Sequence, residues 1–175
     1  NMVGKKMGIT GKGRCNITNS ADIAEFIKNT PGNGKFLYGA YERFSNEDLL
    51  DLLHSWGLKT KVERGGRVFP ESDKATDVRN AFMDRYRKLG GKLQLEESVT
   101  QILVKDGSIT GVVTNKGTYT CDAAIIATGG MSYPLTGSSG DGYEMAKSVG
   151  HTIVELRPSL IPLETKEHWV KDLMG

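Results

Sequence analysis

The sequence predicts an α/β fold, and three observations carry that prediction. Residues 122–128 read DAAIIAT, a continuous apolar run of the kind a strand shows when both its faces are buried in a parallel sheet. The run passes directly into GGMSYPLTGSSGDGY, a glycine-rich loop, and then into the helical stretch YEMAKSVG. Strand, glycine loop and helix in that order form the unit of open α/β sheets, whose ligands sit outside the carboxyl ends of the strands. Earlier in the chain, segments of helical periodicity are followed by short segments of period two.

In chain order, residues 1–19 read as a long loop. SADIAEFIKN, from Ser20, places apolar residues at Ile23, Phe26 and Ile27 and predicts a short helix. PGNG at 31–34 is a turn, and KFLYGAYERF is a second short helix interrupted by Gly39. SNEDLLDLLHSWG is the clearest helix. Ser45 and Asp48 match the capping-box spacing, Leu49, Leu52, Leu53 and Trp56 form one stripe, and Gly57 stops it. LKTKVER and GRVFP, separated by glycines, predict a hairpin. SDKATDVRNAFMDRYRKLGG predicts a long helix capped by Ser72 or Asp73, with Val78, Phe82, Tyr86 and Leu89 along one face. KLQLEE, VTQILVKDG, SITGVVTNKG and TYTC then alternate as short strands of an antiparallel meander spanning 95–121. The helix after the second glycine loop has Asp141 available as its cap and Gly150 as its stop.

Composition narrows the functional classes. The chain has 175 residues, with Lys+Arg 23 against Asp+Glu 21 and a net charge of +2. That balance argues against nucleic acid or an anionic membrane as the main partner. Lys5, Lys6, Lys12 and Arg14 form a local basic excess that reads as a site for a small anion or as a solvated loop. Cys15 and Cys121 lie far apart without metal or disulfide spacing, which fits a reduced, cytoplasmic setting. No run of eighteen apolar residues is present, so no membrane span is expected. The 22 glycines cluster near 4–13 and 129–142, which suggests backbone brought close to a ligand.

The stretch GKGRCNITN at 11–19 is too glycine-rich for a helix interior and too polar for a buried strand. Arg14 could clamp a phosphate through its two-pronged guanidinium. Asn16, Thr18 and Asn19 could pin the loop through side-chain-to-backbone bonds. Taken alone, the stretch reads equally as an ordinary polar loop.

Three motifs break that tie. GKKMGITGKGRCNITN resembles the GxKxxxSGxGRCNxTN signature of the aminoacetone-oxidase-like family of bacterial NAD(P)/FAD-dependent oxidoreductases, flavoproteins with two dinucleotide-binding domains. GRVFPESDKATDV resembles the GRVFPxSxKAxxV segment of that family, and AIIATGGMSYPLTGSSGDGYEMAKSVGH its ATGGxSYPxTGSTGDGYxxAxxxGH segment. The three occur in the family's order over nearly the whole chain. Thr10 stands where the family commonly has serine, and Lys12 where glycine or asparagine is usual.

The resemblance implies a partial Rossmann-like FAD-binding domain with a small antiparallel meander and several helices. It implies flavin-side contacts from Thr10, Gly11, Gly13, Arg14, Cys15, Asn16 and Thr18. Val99 would stand where related flavoproteins meet the adenine edge, with a core strand residue as the equal alternative. Ala127, Thr128, Gly129 and Gly130 would line the cofactor at the end of the apolar strand. FAD is the implied cofactor, and a nicotinamide partner is compatible with the family. Family members begin with a strand, a GxGxxG turn and an acidic residue that this sequence lacks. The expectation is an internal fragment: 1–157 an incomplete FAD-binding domain, and 158–175 the start of a truncated substrate or insert domain. Such a fragment would bind FAD weakly or not at all and would be inactive alone.

No catalytic residue is nominated, because a flavin carries its own redox chemistry. His54, His151 and His168 are scattered. Cys15, beside Arg14, is either a small packing residue or a thiol of lowered pKa. Tyr133 either faces ligand or anchors the loop before Pro134. The resemblance implies FAD-dependent redox chemistry on a small-molecule substrate, and amine oxidation and reduction of an unsaturated substrate both remain open as the parent reaction. The rival reading is a nucleotide-binding or regulatory module without chemistry. Oligomeric state is not legible.

Overall fold

The computed structural model describes residues 2–158 together with Lys166 and Trp169. Apart from Pro158, Lys166 and Trp169, the proposed insert domain at 158–175, His168 included, falls outside the described residues.

Six α-helices and two three-stranded antiparallel sheets make up the described regular structure, with short 3-10 turns between them. Residues 1–19 are more ordered than the loop expected from their composition. Lys5–Ile9 forms a helical turn (α1), Thr10–Gly13 a 3-10 turn, and Thr18–Asn19 a short strand (β1). Gly4, at φ 71°, starts α1 in a left-handed conformation that costs glycine little. Helix α1 has no side-chain cap and is held by packing against a later helix (α5, below).

Ile23–Lys28 (α2) is capped by Asp22, whose carboxylate accepts from the Glu25 amide at 2.8 Å. A 3-10 turn at Gly34–Leu37 leads into Tyr38–Arg43 (α3), and Phe26 meets Tyr41 at 5.4 Å between ring centroids. Asn46–Ser55 (α4) carries the expected capping box: the Asp48 amide donates to Ser45 Oγ, and the Ser45 amide donates to Asp48 Oδ2 at 2.7 Å. The box holds the Asp48 carboxyl below its usual range, mainly through the Ser45 backbone bond.

Thr60–Glu63 (β2) and Arg67–Pro70 (β3) form the predicted hairpin, and β1 adds to the other side of β3. Gly65 turns it at φ 77°. Ala75–Lys88 (α5) follows without the Ser72 or Asp73 cap expected of it. The Asp73 carboxylate is instead taken by Lys61 and Arg14. Of the α5 stripe only Val78 is fully buried, while Phe82 sets its ring edge-to-face against Trp56 at 5.3 Å. The core gathers Cys15, Leu53, Leu58, Ala75 and Val78, with Met7, Ile17 and Trp56 packed around it.

The meander is present as Val99–Lys105 (β4), Ser108–Thr114 (β5) and Thr118–Thr120 (β6), in order β4–β5–β6. Asp106 and Gly107, at φ 50° and 77°, turn the first hairpin as two left-handed residues. KLQLEE, expected as a further strand, is irregular. Side chains take its carbonyls: Tyr86 Oη donates to Lys92 O at 2.6 Å, and Lys116 Nζ donates to Leu95 O at 3.2 Å.

The largest departure is DAAIIAT. Residues 122–128 carry no strand, and Ile125 is 93% exposed. A strand buried on both faces needs a hydrogen-bonding neighbour and two covering layers. Neither described sheet contains this run. The last helix among the described residues, Asp141–Ser148 (α6), packs near β4. Its cap is Gly140 at φ 96°, not Asp141, which occupies the first turn and makes no cap bond. There its carboxylate faces the positive end of the helix dipole.

Candidate functional site

The two glycine clusters, more than a hundred residues apart in sequence, face each other. Their link is Lys6. Its ammonium donates to Ser132 O at 2.9 Å, to Ser132 Oγ at 2.7 Å and to Ser138 Oγ at 3.4 Å. Ser138 is only 4% exposed. It lies against Gly129, where an added Cβ would come within 2.8 Å of Ser138 Oγ. The contact chain Lys6–Ser138–Gly129 therefore brings the amino-terminal segment to the loop after DAAIIAT. Among the described residues, no carboxylate pairs with Lys6, so its charge is not cancelled locally.

Beside this link opens a cleft of about 470 Å³ lined by Lys6, Ile9, Thr10, Gly11, Asn16 and Tyr133. Thr10, Gly11 and Asn16 were expected at the cofactor from sequence, Lys6 was read as part of an anion site or a solvated loop, and Tyr133 as facing ligand or anchoring its loop. The Thr10 hydroxyl donates to Met7 O at 3.0 Å and fixes the end of α1. Gly11, at φ 58°, passes so close to Phe69 that a Cβ would lie 2.6 Å from the ring. Only glycine suits both that conformation and that approach.

The remaining expected residues are placed differently. Arg14 is committed within the protein: its Nη1 meets Glu63 Oε1 at 2.9 Å and Asp73 Oδ1 at 3.4 Å, and its Nε donates to Gly11 O at 3.3 Å. Its guanidinium also lies 4.1 Å from the centroid of the Phe69 ring. Lys61 completes a four-charge network with the same two carboxylates. Arg14 thus ties the glycine turn to the β2–β3 hairpin. A direct phosphate contact would require these bonds to exchange.

Cys15 is 5% exposed in the core at φ 65°. Burial raises its thiol pKa, with the Thr10 hydrogen bond acting in the opposite direction. Of the two readings of this residue, the packing one fits and the activated thiol does not. Gly13 lies on a separate cavity of about 300 Å³ with Met2, Gly4, Gly8, Asp73 and Arg79. Thr18 pairs with Val68 in β1, and Val99 opens β4 opposite Thr114, in the other sheet. Ala127, Thr128 and Gly129 are exposed along the irregular run, and a Cβ on Gly130 would be 3.4 Å from Tyr143 Oη. Gly142 at the start of α6 sits hard against Thr128 and Ile126, which docks the helix onto that run.

His54 is exposed on α4, with Nε2 2.8 Å from Thr60 Oγ1, and His151 follows α6 at the surface. Neither reaches the cleft lining. Among the described residues there is no cluster of metal-ligating side chains, and no helix is long and apolar enough to cross a membrane.

The chain is similar to known proteins along most of its length. The family described as the HI0933-like protein Rossmann domain matches residues 1–165. The chain is 33% identical over 168 residues to a 3-dehydro-bile acid delta(4,6)-reductase of Clostridium scindens, covering 95% of this chain and 40% of that protein. It is 28% identical over 171 residues to a ribosomal RNA dihydrouridine synthase of Escherichia coli, covering 97% of this chain and 42% of that protein. The corresponding Haemophilus influenzae protein is also 28% identical over 171 residues, with 94% and 41% covered. The chain thus spans about two fifths of the length of the curated relatives it matches. With a family match over nearly all of its length, the chain belongs to the HI0933-like Rossmann-domain family.

Proposed function

We propose that this chain supplies one wall of the FAD site in a flavin-dependent reductase that saturates a carbon–carbon double bond in a small, carbonyl-bearing substrate. The observation that carries the proposal is the Lys6 link, which converts two distant glycine segments into one cleft. The cleft's chemistry fits the cofactor. Its lining offers the Lys6 ammonium, the Thr10 hydroxyl, the Asn16 amide and bare backbone at Gly11, with no acidic side chain among them. Such a donor set suits an anionic, oxygen-rich group better than a cationic one. When bound, the flavin would supply the hydride chemistry. Lys6, Thr10 and Asn16 would orient it, Gly11 would let it approach the backbone, and Arg14 would hold the glycine turn in place.

The printed names of the relatives favour reduction. Both a delta(4,6)-reductase and a dihydrouridine synthase yield a product with a saturated bond. The aminoacetone-oxidase-like resemblance would instead make an amine the electron donor, and this is the second reading. A nicotinamide nucleotide is the proposed source of electrons, and the two free cysteines are compatible with a cytoplasmic setting.

The test uses the full-length protein that contains this chain. Its visible spectrum should carry flavin bands that bleach anaerobically with NADH or NADPH. The bands should return on adding an unsaturated ketone. A colourless protein would refute the flavin reading. Bleaching by an amine and recovery only with oxygen would replace the reductase reading with the oxidase one.

A further inference from the structure

A second, larger cavity adjoins the cleft. It measures about 700 Å³ and is lined by Met131, Ser132, Tyr133, Tyr143, Leu156 and Arg157, with Pro158 at its edge. We propose that this cavity is the substrate pocket, that it takes a largely apolar ring compound with one carbonyl oxygen, and that Tyr133 is the positioning residue between cofactor and substrate. The proposal rests on the flavin reading for what lies on the other side of Tyr133.

Tyr133 lines both cavities, which makes it their common wall. Its backbone is clamped on each side. Lys6 holds Ser132 O at 2.9 Å, while the Thr136 hydroxyl and amide both donate to Tyr133 O, at 2.7 and 2.9 Å. These bonds keep Tyr133 at φ 54°, a conformation disfavoured for a bulky residue and characteristic of sites where the side chain must be aimed. The side chain so aimed is 67% exposed, and its phenol has no hydrogen-bond partner among the described residues. A phenol O–H held beside two cavities is a donor waiting for a ligand oxygen.

The rest of the lining sets the ligand class. Met131, Tyr143 and Leu156 give it apolar and aromatic faces, and the volume falls in the ordinary range for small-molecule sites. The one lining cation, Arg157, already holds Glu155, Nη2 to Oε2 at 3.1 Å. Both partners are exposed, so this pair sits in water at the rim and leaves the apolar and aromatic faces to meet the ligand.

Calorimetric titration of the full-length protein with testosterone, an uncharged steroidal enone, tests the assignment, with uridine as the competing arm. Testosterone should bind and uridine should not. Tyr133→Phe should weaken testosterone about tenfold, the loss of one ligand hydrogen bond. Leu156→Arg should weaken it at least as much by filling the pocket, with folding checked by circular dichroism. Equal testosterone affinity in wild type and both variants would overturn the proposal, as would binding of uridine in preference to testosterone. A wild-type protein without flavin that still binds testosterone in a Leu156-dependent way would uphold the pocket and refute the flavin reading.

Discussion

Replacing Lys6 by methionine should loosen the join between the glycine segments while leaving the rest of the fold in place. The variant keeps the stem volume and loses three hydrogen bonds, at 2.9, 2.7 and 3.4 Å. Hydrogen bonds from a charged donor are worth about 1.5–3 kcal/mol when well shielded. The two short ones reach the exposed Ser132, where water replaces the lost donor, so together they count for about 1 kcal/mol. Ser138 is buried, and leaving its hydroxyl unpartnered adds about 1–2 kcal/mol despite the longer bond. The sum is about 2–3 kcal/mol of local closure. Opening of the 129–138 loop should therefore rise about 30- to 150-fold. Amide hydrogen exchange followed by mass spectrometry reads this directly. Peptides covering 129–138 should lose protection, those covering α4 and the β2–β3 hairpin should not, and Lys6→Arg should restore most of it. Unchanged exchange in 129–138 for Lys6→Met would refute the view that this ammonium joins the two segments.

Gly11→Ala should cost about 2–5 kcal/mol, combining the left-handed penalty with a Cβ 2.6 Å from a buried ring. Thermal melting should fall by about 4–20 °C, and a shift under 2 °C would sink the argument. Because burial raises the Cys15 thiol, it stays protonated near neutrality, and a disulfide reagent at about pH 8 should label Cys121 and spare Cys15 until the chain unfolds. With the folded pKa above the unfolded one, the stability Cys15 contributes is complete below the unfolded pKa and declines as pH rises through the folded value. The Asp73 carboxyl is held below its usual range, first by the Lys61 hydrogen bond and then by the charges of Lys61 and Arg14. Its contribution is present above the unfolded pKa and is lost as pH falls through the folded one. Asp73→Asn should therefore flatten the acid limb of a stability–pH profile, and an unaltered limb would count against the network.

Much of the local architecture is legible from residues alone, because its causes lie within a few positions. The capping box of Ser45 and Asp48, the Gly65 hairpin and the Asp106–Gly107 turn each depend on side chains or φ preferences three or four residues apart. The family motifs are likewise contiguous strings, so the Rossmann-domain family could be read without coordinates, though the relatives matched are a bile acid reductase and dihydrouridine synthases and not an aminoacetone oxidase. Readings that needed a distant partner did less well. DAAIIAT has the composition of a buried strand, yet a strand exists only where a neighbour completes its ladder, and Ile125 faces solvent. Arg14 has the chemistry of a phosphate clamp, but Glu63 and Asp73, some fifty and sixty positions on, take its guanidinium. Lys6 looks like one more cation in a basic loop until the fold carries Ser132 and Ser138 to it across 126 and 132 residues. Side-chain chemistry is fixed by the chain's own order. Which partner receives it is decided by packing, since only the folded backbone sets distances between segments so far apart.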